Sequence, residues 1–180
     1  MPNANLTWYL VWAAAVTVFR VEDGQMRVLL KIVLDCEPDA AWRAIRSPGV
    51  LGEVSAPLTV FESLEPGGFP ELWEAGDHPV RVRAFGILPL GDQIIGISFP
   101  ELPGVRAMRD TGRGLDGPLA IITEWQHTLT VAPHPGGRTL YRDQLRFSAG
   151  PLTILMWPLY WAFWQWRAIG MKRLARGWRA

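Results

Sequence analysis

Pro151–Arg179 reads PLTILMWPLYWAFWQWRAIGMKRLARGWR. It holds five of the chain's ten tryptophans, closes with five cations (Arg167, Lys172, Arg173, Arg176, Arg179) and contains no acid. A segment of this make-up is a membrane span, an interfacial amphipathic helix, or a long helix lying across an apolar cavity. The apolar run Leu152–Trp164 is 13 residues, whereas a bilayer core needs about 20, and Arg167 ends it. A span is disfavoured. Trp157, Trp161, Trp164, Ala168, Met171, Ala175 and Trp178 recur at i, i+4, i+7, i+11, which is one stripe of a helix. Lys172, Arg173, Arg176 and Arg179 fall mostly off it, and cations suit a helix C-terminus. Pro158 removes the hydrogen bond to residue 154 and predicts a kink or a restart. The helix is therefore expected from about Leu159 to Arg179, roughly 30 Å long.

Working outward, 180 residues fit one domain with a real core. A net charge of +1 gives no argument for nucleic acid. Arg138, Arg142 and Arg146 line one face of a strand, but acids elsewhere balance them, and no nucleic-acid partner is expected. Asp35–Asp77 is acidic, so the basic helix end has a complement within the chain. Cys36 is the lone cysteine. It excludes an internal disulfide and a cysteine metal site, and it fits a reducing, cytoplasmic setting.

Leu6–Phe19 (LTWYLVWAAAVTVF) is apolar, but no cation precedes it and no cleavage signal precedes Arg20. Asp23-Gly24 between the alternating runs VTVFRVE and QMRVLLKIV is a hairpin signal. Residues 1–25 are read either as an added hairpin strand or as chain translated upstream of the domain's start. The domain proper is 26–180.

Met26–Leu34 reads as a strand. Glu37-Pro38-Asp39 opens a short helix ending near Ser47-Pro48-Gly49, and Val50–Val54 forms another helical turn. Strands are expected at Leu58–Leu64, Val80–Ile87, Gln93–Phe99, Val105–Arg109, Ala120–Val131 and Thr139–Phe147. A Gly/Pro-rich loop covers Glu65–Pro79, and a PHPGG turn joins the last two strands. The architecture is α+β: a curved antiparallel sheet of six to seven strands, two short helices after the first strand, and the long C-terminal helix over the concave face. A sheet curved around a helix leaves an apolar space between them.

This order resembles the START-like helix-grip (SRPBCC) superfamily, in particular its bacterial ligand-binding and polyketide cyclase/dehydrase-like branch. The resemblance is carried by LLKIVLDCEPDAAWRAIRSPGVL, Asp116-Gly117-Pro118, Trp125-x-His127, Gly136-Gly137-x-Thr139, Asp143 and Trp166-Arg167. It implies a hydrophobic cavity between sheet and helix, and says far more about fold than about activity. Leu119 stands where an aromatic is usual soon after Gly-Pro.

Alternation fixes which side chains face that cavity. In ITEWQHTLTV, Trp125, His127, Leu129 and Val131 share the apolar face; in RTLYRDQLRF, Thr139, Tyr141, Asp143, Leu145 and Phe147 do. A hairpin centred on PHPGG puts His127 and Asp143 directly or diagonally opposite. They are then either a general base and its orienting carboxylate or a mutually satisfied buried pair. Trp42, Phe61, Phe85, Ile97, Phe99, Trp157, Trp161 and Trp164 are the other cavity candidates, with core packing as their default role. No metal and no cofactor is expected, because His78, His127 and His134 lack ligand spacing and no phosphate loop appears.

Three functions are consistent with this reading. The first is binding or sequestration of a small hydrophobic molecule or lipid without robust catalysis. The second is a cyclase/dehydratase-type enzyme using His127 and Asp143. The third is lipid handling at a membrane surface, with peripheral contact through Trp178 and the basic helix end.

Overall fold

The alternation in QMRVLLKIVL becomes a ten-residue strand, β4 (Gln25–Leu34), that buries Met26, Val28, Leu30, Ile32 and Leu34 on one face. The computed structural model describes residues 8–12, 15–19, 21–22 and 25–178, the first twelve by backbone alone. The Asp23-Gly24 signal and Arg179 lie outside the described residues. Before β4, β1 (Trp8–Trp12) and β2 (Ala15–Phe19) pair with each other, and β3 (Val21–Glu22) pairs with β4.

Two short helices follow. In α1 (Pro38–Ile45), Pro38 occupies the first turn, where its missing N–H costs nothing, and Asp39 sits at the positive end. In α2 (Pro48–Ser55), the Ser47 hydroxyl accepts from Val50 N. The rest of the sheet is β5 (Thr59–Ser63), β6 (Gly76–Ala84), β7 (Leu88–Ser98), β8 (Arg106–Asp110), β9 (Arg113–Gly114), β10 (Glu124–His134) and β11 (Arg138–Ser148). Its order is β3-β4-β11-β10-β8-β7-β6-β5, antiparallel throughout, with β9 added to β7.

Several boundaries differ from the sequence expectation. The strand expected from Ala120 begins at Glu124, because Gly117 takes a positive φ and Pro118 starts a 3-10 helix over Gly117–Ile121. His78, expected in a loop, lies on β6, with Nδ1 on Glu65 Oε1 at 2.9 Å and Nε2 on the Glu74 carbonyl at 3.0 Å.

The C-terminal helix, α3, runs from Thr153 to Ala175 as one helix through Pro158, starting six residues earlier than expected. The Thr153 hydroxyl accepts from Ala149 N and donates to the Gly150 carbonyl, which anchors that earlier start. Ile154, whose carbonyl loses its partner to Pro158, is exposed, so water can satisfy it. Trp164, Ala168, Met171 and Ala175 of the predicted stripe are buried, and Arg167 is buried with them. At Gly170 the helix crosses α2 so closely that a Cβ would lie 3.3 Å from Val54 Cα. Among the described residues, no helix is long and apolar enough to cross a membrane.

Candidate functional site

The sheet and α3 enclose a cavity of about 590 Å³. That is within the range typical of small-molecule sites, about 300–1,000 Å³. Strands supply Phe61, Val82, Ile95, Ile97 and Leu129 to its wall, α2 supplies Val50, Leu51 and Val54, and α3 supplies Leu159, Tyr160, Phe163 and Arg167.

One corner is polar. The β10–β11 register sets His127 opposite Leu145 and Asp143 opposite Leu129, so His127 and Asp143 are diagonal neighbours. Diagonal residues on one face remain within reach of long side chains, and His127 Nε2 meets Asp143 Oδ1 at 2.7 Å. The same carboxylate accepts from Trp164 Nε1 at 2.6 Å and from the Tyr141 hydroxyl at 2.9 Å, and Arg167 Nη2 lies 3.3 Å from Oδ2. The Arg167 guanidinium stacks over Trp164, 5.0 Å from the ring centroid. All five side chains are buried.

Burial alone would raise the Asp143 carboxyl. The charge of His127 when protonated and that of Arg167, with hydrogen bonds from His127 and Trp164, more than reverse that and hold it well below the usual carboxylate range. Burial, and then the Asp143 charge, push the Tyr141 phenol well above its ordinary value. Asp143 is therefore an anion and Tyr141 a donor at neutral pH. A carboxylate at Nε2 requires a proton there, so in neutral His127 the other nitrogen, Nδ1, is an acceptor. It carries no hydrogen bond among the described residues, and His127 lines the cavity.

A second carboxylate, Asp110, lies on the cavity wall itself. Asp110 pairs with His127 in the β8–β10 register. It accepts from Gly96 N and Gly112 N at 2.8 Å each and from Trp125 Nε1 at 2.9 Å. These three donors tie it into the frame. Tyr160 also lines the cavity, and burial pushes its phenol above the ordinary range.

Of the sequence candidates, Phe61, Phe85, Ile97, Trp125, His127 and Tyr141 line the cavity. The rest stand elsewhere. Trp42 packs edge-on against Phe99 beside Arg46. Phe147 is in the core against Tyr160. Trp157 stacks on Trp161 and donates to the Arg27 carbonyl. Asp143 and Trp164 sit behind the wall as partners of His127. Sequence reasoning missed Arg167, Asp110, Tyr160 and Phe163. Tyr160, Trp164, Arg167 and Met171 share a helical face at i, i+4, i+7, i+11, so a cation on that face was the available signal for Arg167.

No family model matches the chain, and no curated protein matches it. Solved structures share its fold. A protein from Chromobacterium violaceum aligns with a TM-score of 0.56 at 22% identity, over 83% of this chain and 96% of its own. A hypothetical protein from Helicobacter pylori gives 0.61 at 11%, over 83% and 87%. Norcoclaurine synthase from Thalictrum flavum, solved in complex with dopamine and hydroxybenzaldehyde, gives 0.56 at 13%, over 85% and 87%. At such identities the likeness establishes the helix-grip fold alone.

Proposed function

We propose that residues 26–180 form a START-like (SRPBCC) helix-grip domain that binds a small, largely apolar molecule or lipid between sheet and α3, without robust catalysis, and that residues 1–25 are an extension to it. The observation that carries this reading is the make-up of the cavity. Its walls are mostly apolar, the Asp110 and Asp143 carboxylates accept from the protein's own donors, and neutral His127 turns Nδ1 to the space as an acceptor. A ligand is held by burial, with a hydroxyl or similar donor oriented at His127. That a protein of this fold holds two small aromatic molecules supports a ligand of that size.

The test is titration of an apolar fluorescent probe into wild type and Leu129→Trp. Leu129 lines the cavity. Binding should saturate at one site and be lost in the variant, whose stability should hold because the indole fills open space. A loss of about 1–3 kcal/mol, the usual result of overpacking, would mean there is no such space.

His127 Nδ1 also supports the second reading, a cyclase/dehydratase-type enzyme. An acceptor nitrogen in the cavity, with Nε2–H fixed by an ionised Asp143, can take a proton from a carbon beside a carbonyl. Arg167 beside Asp143 keeps the carboxylate charged, so the proton stays on the imidazole. Under this reading His127→Ala abolishes turnover of an enolisable carbonyl substrate while leaving the fold intact; unchanged turnover would end it. Membrane contact, the third expectation, would use Trp178 and the basic helix end, which lie outside the cavity wall.

A further inference from the structure

Helix α3 is apolar on the side opposite its buried stripe as well as on that stripe. Leu155, Leu159, Ala162, Trp166 and Ile169 recur at i, i+4, i+7, i+11 and i+14, a stripe opposite the buried one of Trp164, Ala168, Met171 and Ala175. Leu159 is 71% exposed and Ile169 67%. A monomeric soluble surface scatters such residues singly; a contiguous run of them marks a contact face.

This face is the rim of the cavity. Leu159, Ala162, Trp166 and Ile169 line the cavity while reaching its outside, and so does Phe85, 59% exposed at the tip of the β6–β7 hairpin. Ile87 and Leu88 extend the rim from the same tip and are exposed. Phe85 holds a φ of 52°, a left-handed conformation that a bulky side chain adopts only at a cost in backbone energy. The hairpin thus keeps an aromatic at its tip against local preference.

Charge selects the occupant. Helix α3 contains no acid, and its outward stripe runs on from Ile169 to Arg173, with Lys172 and Arg176 beside it. Those three cations have no ion pair among the described residues. A second copy of this chain pairing through the same face would set these cations against a helix that brings no carboxylate. An anionic lipid surface offers both halves of the complement, an acyl layer for the leucines, isoleucines and Phe85 and a charged headgroup layer for Lys172, Arg173 and Arg176.

We propose that the mouth of the cavity docks on an anionic lipid surface, with the outward stripe of α3 and the β6–β7 tip in the acyl–headgroup boundary. The contact surface is the apolar rim, with the basic helix end as its electrostatic part. Docking there would let a lipid-soluble molecule pass between bilayer and cavity without crossing water.

The experiment is flotation of the full chain with phosphatidylcholine vesicles, with and without phosphatidylserine. The wild type should float with the serine-containing vesicles, less so as salt is raised. Ile87→Asp combined with Leu155→Asp changes two exposed positions outside the cavity wall. It should lower the partition coefficient about ten-fold or more with the thermal unfolding curve unchanged. Arg173→Gln with Arg176→Gln should remove most of the preference for phosphatidylserine. A wild type that stays unbound at low salt would overturn the proposal, as would an Ile87→Asp/Leu155→Asp protein that floats like the wild type. A dimer in sedimentation that the same two substitutions split would also overturn it, assigning the face to a second copy. Probe binding to the cavity in lipid-free solution is measured separately, so loss of one activity is distinguishable from loss of the other.

Discussion

Replacing Asp143 with Ala removes the one acceptor shared by His127 Nε2, Trp164 Nε1, the Tyr141 hydroxyl and Arg167 Nη2. Arg167 cannot lose its charge, so it would be left as an uncompensated cation in the interior. Breaking a buried pair by deleting one partner costs about 3–5 kcal/mol, and each buried donor left unpaired adds about 1–3 kcal/mol where water does not reach it. His127 opens on the cavity and can be hydrated, whereas Trp164 and Tyr141 are sealed, so the expected total is at least about 5 kcal/mol. For a chain of this length that lowers Tm by at least about 10 °C. Arg167→Met leaves Asp143 its other three donors and should cost less, about 2–4 kcal/mol. The double variant should fall short of the sum, because the two side chains share one network.

The Asp143 effect carries a pH signature. The Asp143 carboxyl is lowered in the fold relative to about 3.9 in the unfolded chain. A depressed carboxyl contributes its full stability above the unfolded value and loses it as pH falls through the folded one. The gap between wild type and Asp143→Ala should therefore be wide at neutral pH and narrow below about pH 4. Urea unfolding followed by circular dichroism at several pH values measures both. A loss under about 1 kcal/mol, or a gap that widens in acid, would refute the reasoning.

Three further outcomes follow from burial and close approach. Burial raises the phenols of both Tyr141 and Tyr160, so absorbance titration should show two of the three tyrosines silent until well above the ordinary value of about 10. The stability they contribute is intact below that value and is lost as pH rises through the folded ones. Burial likewise raises the Cys36 thiol, whose neighbours Asp35 and Glu37 add to the rise against a hydrogen bond with Thr139; it should resist a disulfide reagent in the native protein and react at once in denaturant. Gly170→Leu should cost about 1–3 kcal/mol in a denaturation curve, because α3 lies against Val54 there, whereas Gly52→Ala, with nothing within 4 Å, should gain up to about 1 kcal/mol of helix propensity.

The fold was legible where the chain obeys a single period. QMRVLLKIVL and RTLYRDQLRFS bury every second residue, EWQHTLTVAPH does so less regularly, and the β10–β11 register brings His127 to Asp143. The α3 stripe was legible for the same reason from Trp164 onward. Its first turns were not, because Pro158 argues for a break that the exposed start of the helix tolerates. In the sequence Arg167 ends an apolar run; its burial depends on a carboxylate 24 positions earlier that only the fold brings close. The aromatic candidates divided similarly. Periodicity tells which side of a strand or helix is apolar, but not whether that side faces the cavity, as Phe61 does, or another element, as Phe147 does.

The most direct test of the account is native mass spectrometry of the full chain as purified and after organic extraction. A bound species at one molecule per chain is expected, lost on extraction and yielding an apolar compound that bears a hydrogen-bond donor. Identical masses before and after, together with no saturable uptake of apolar probes, would contradict it.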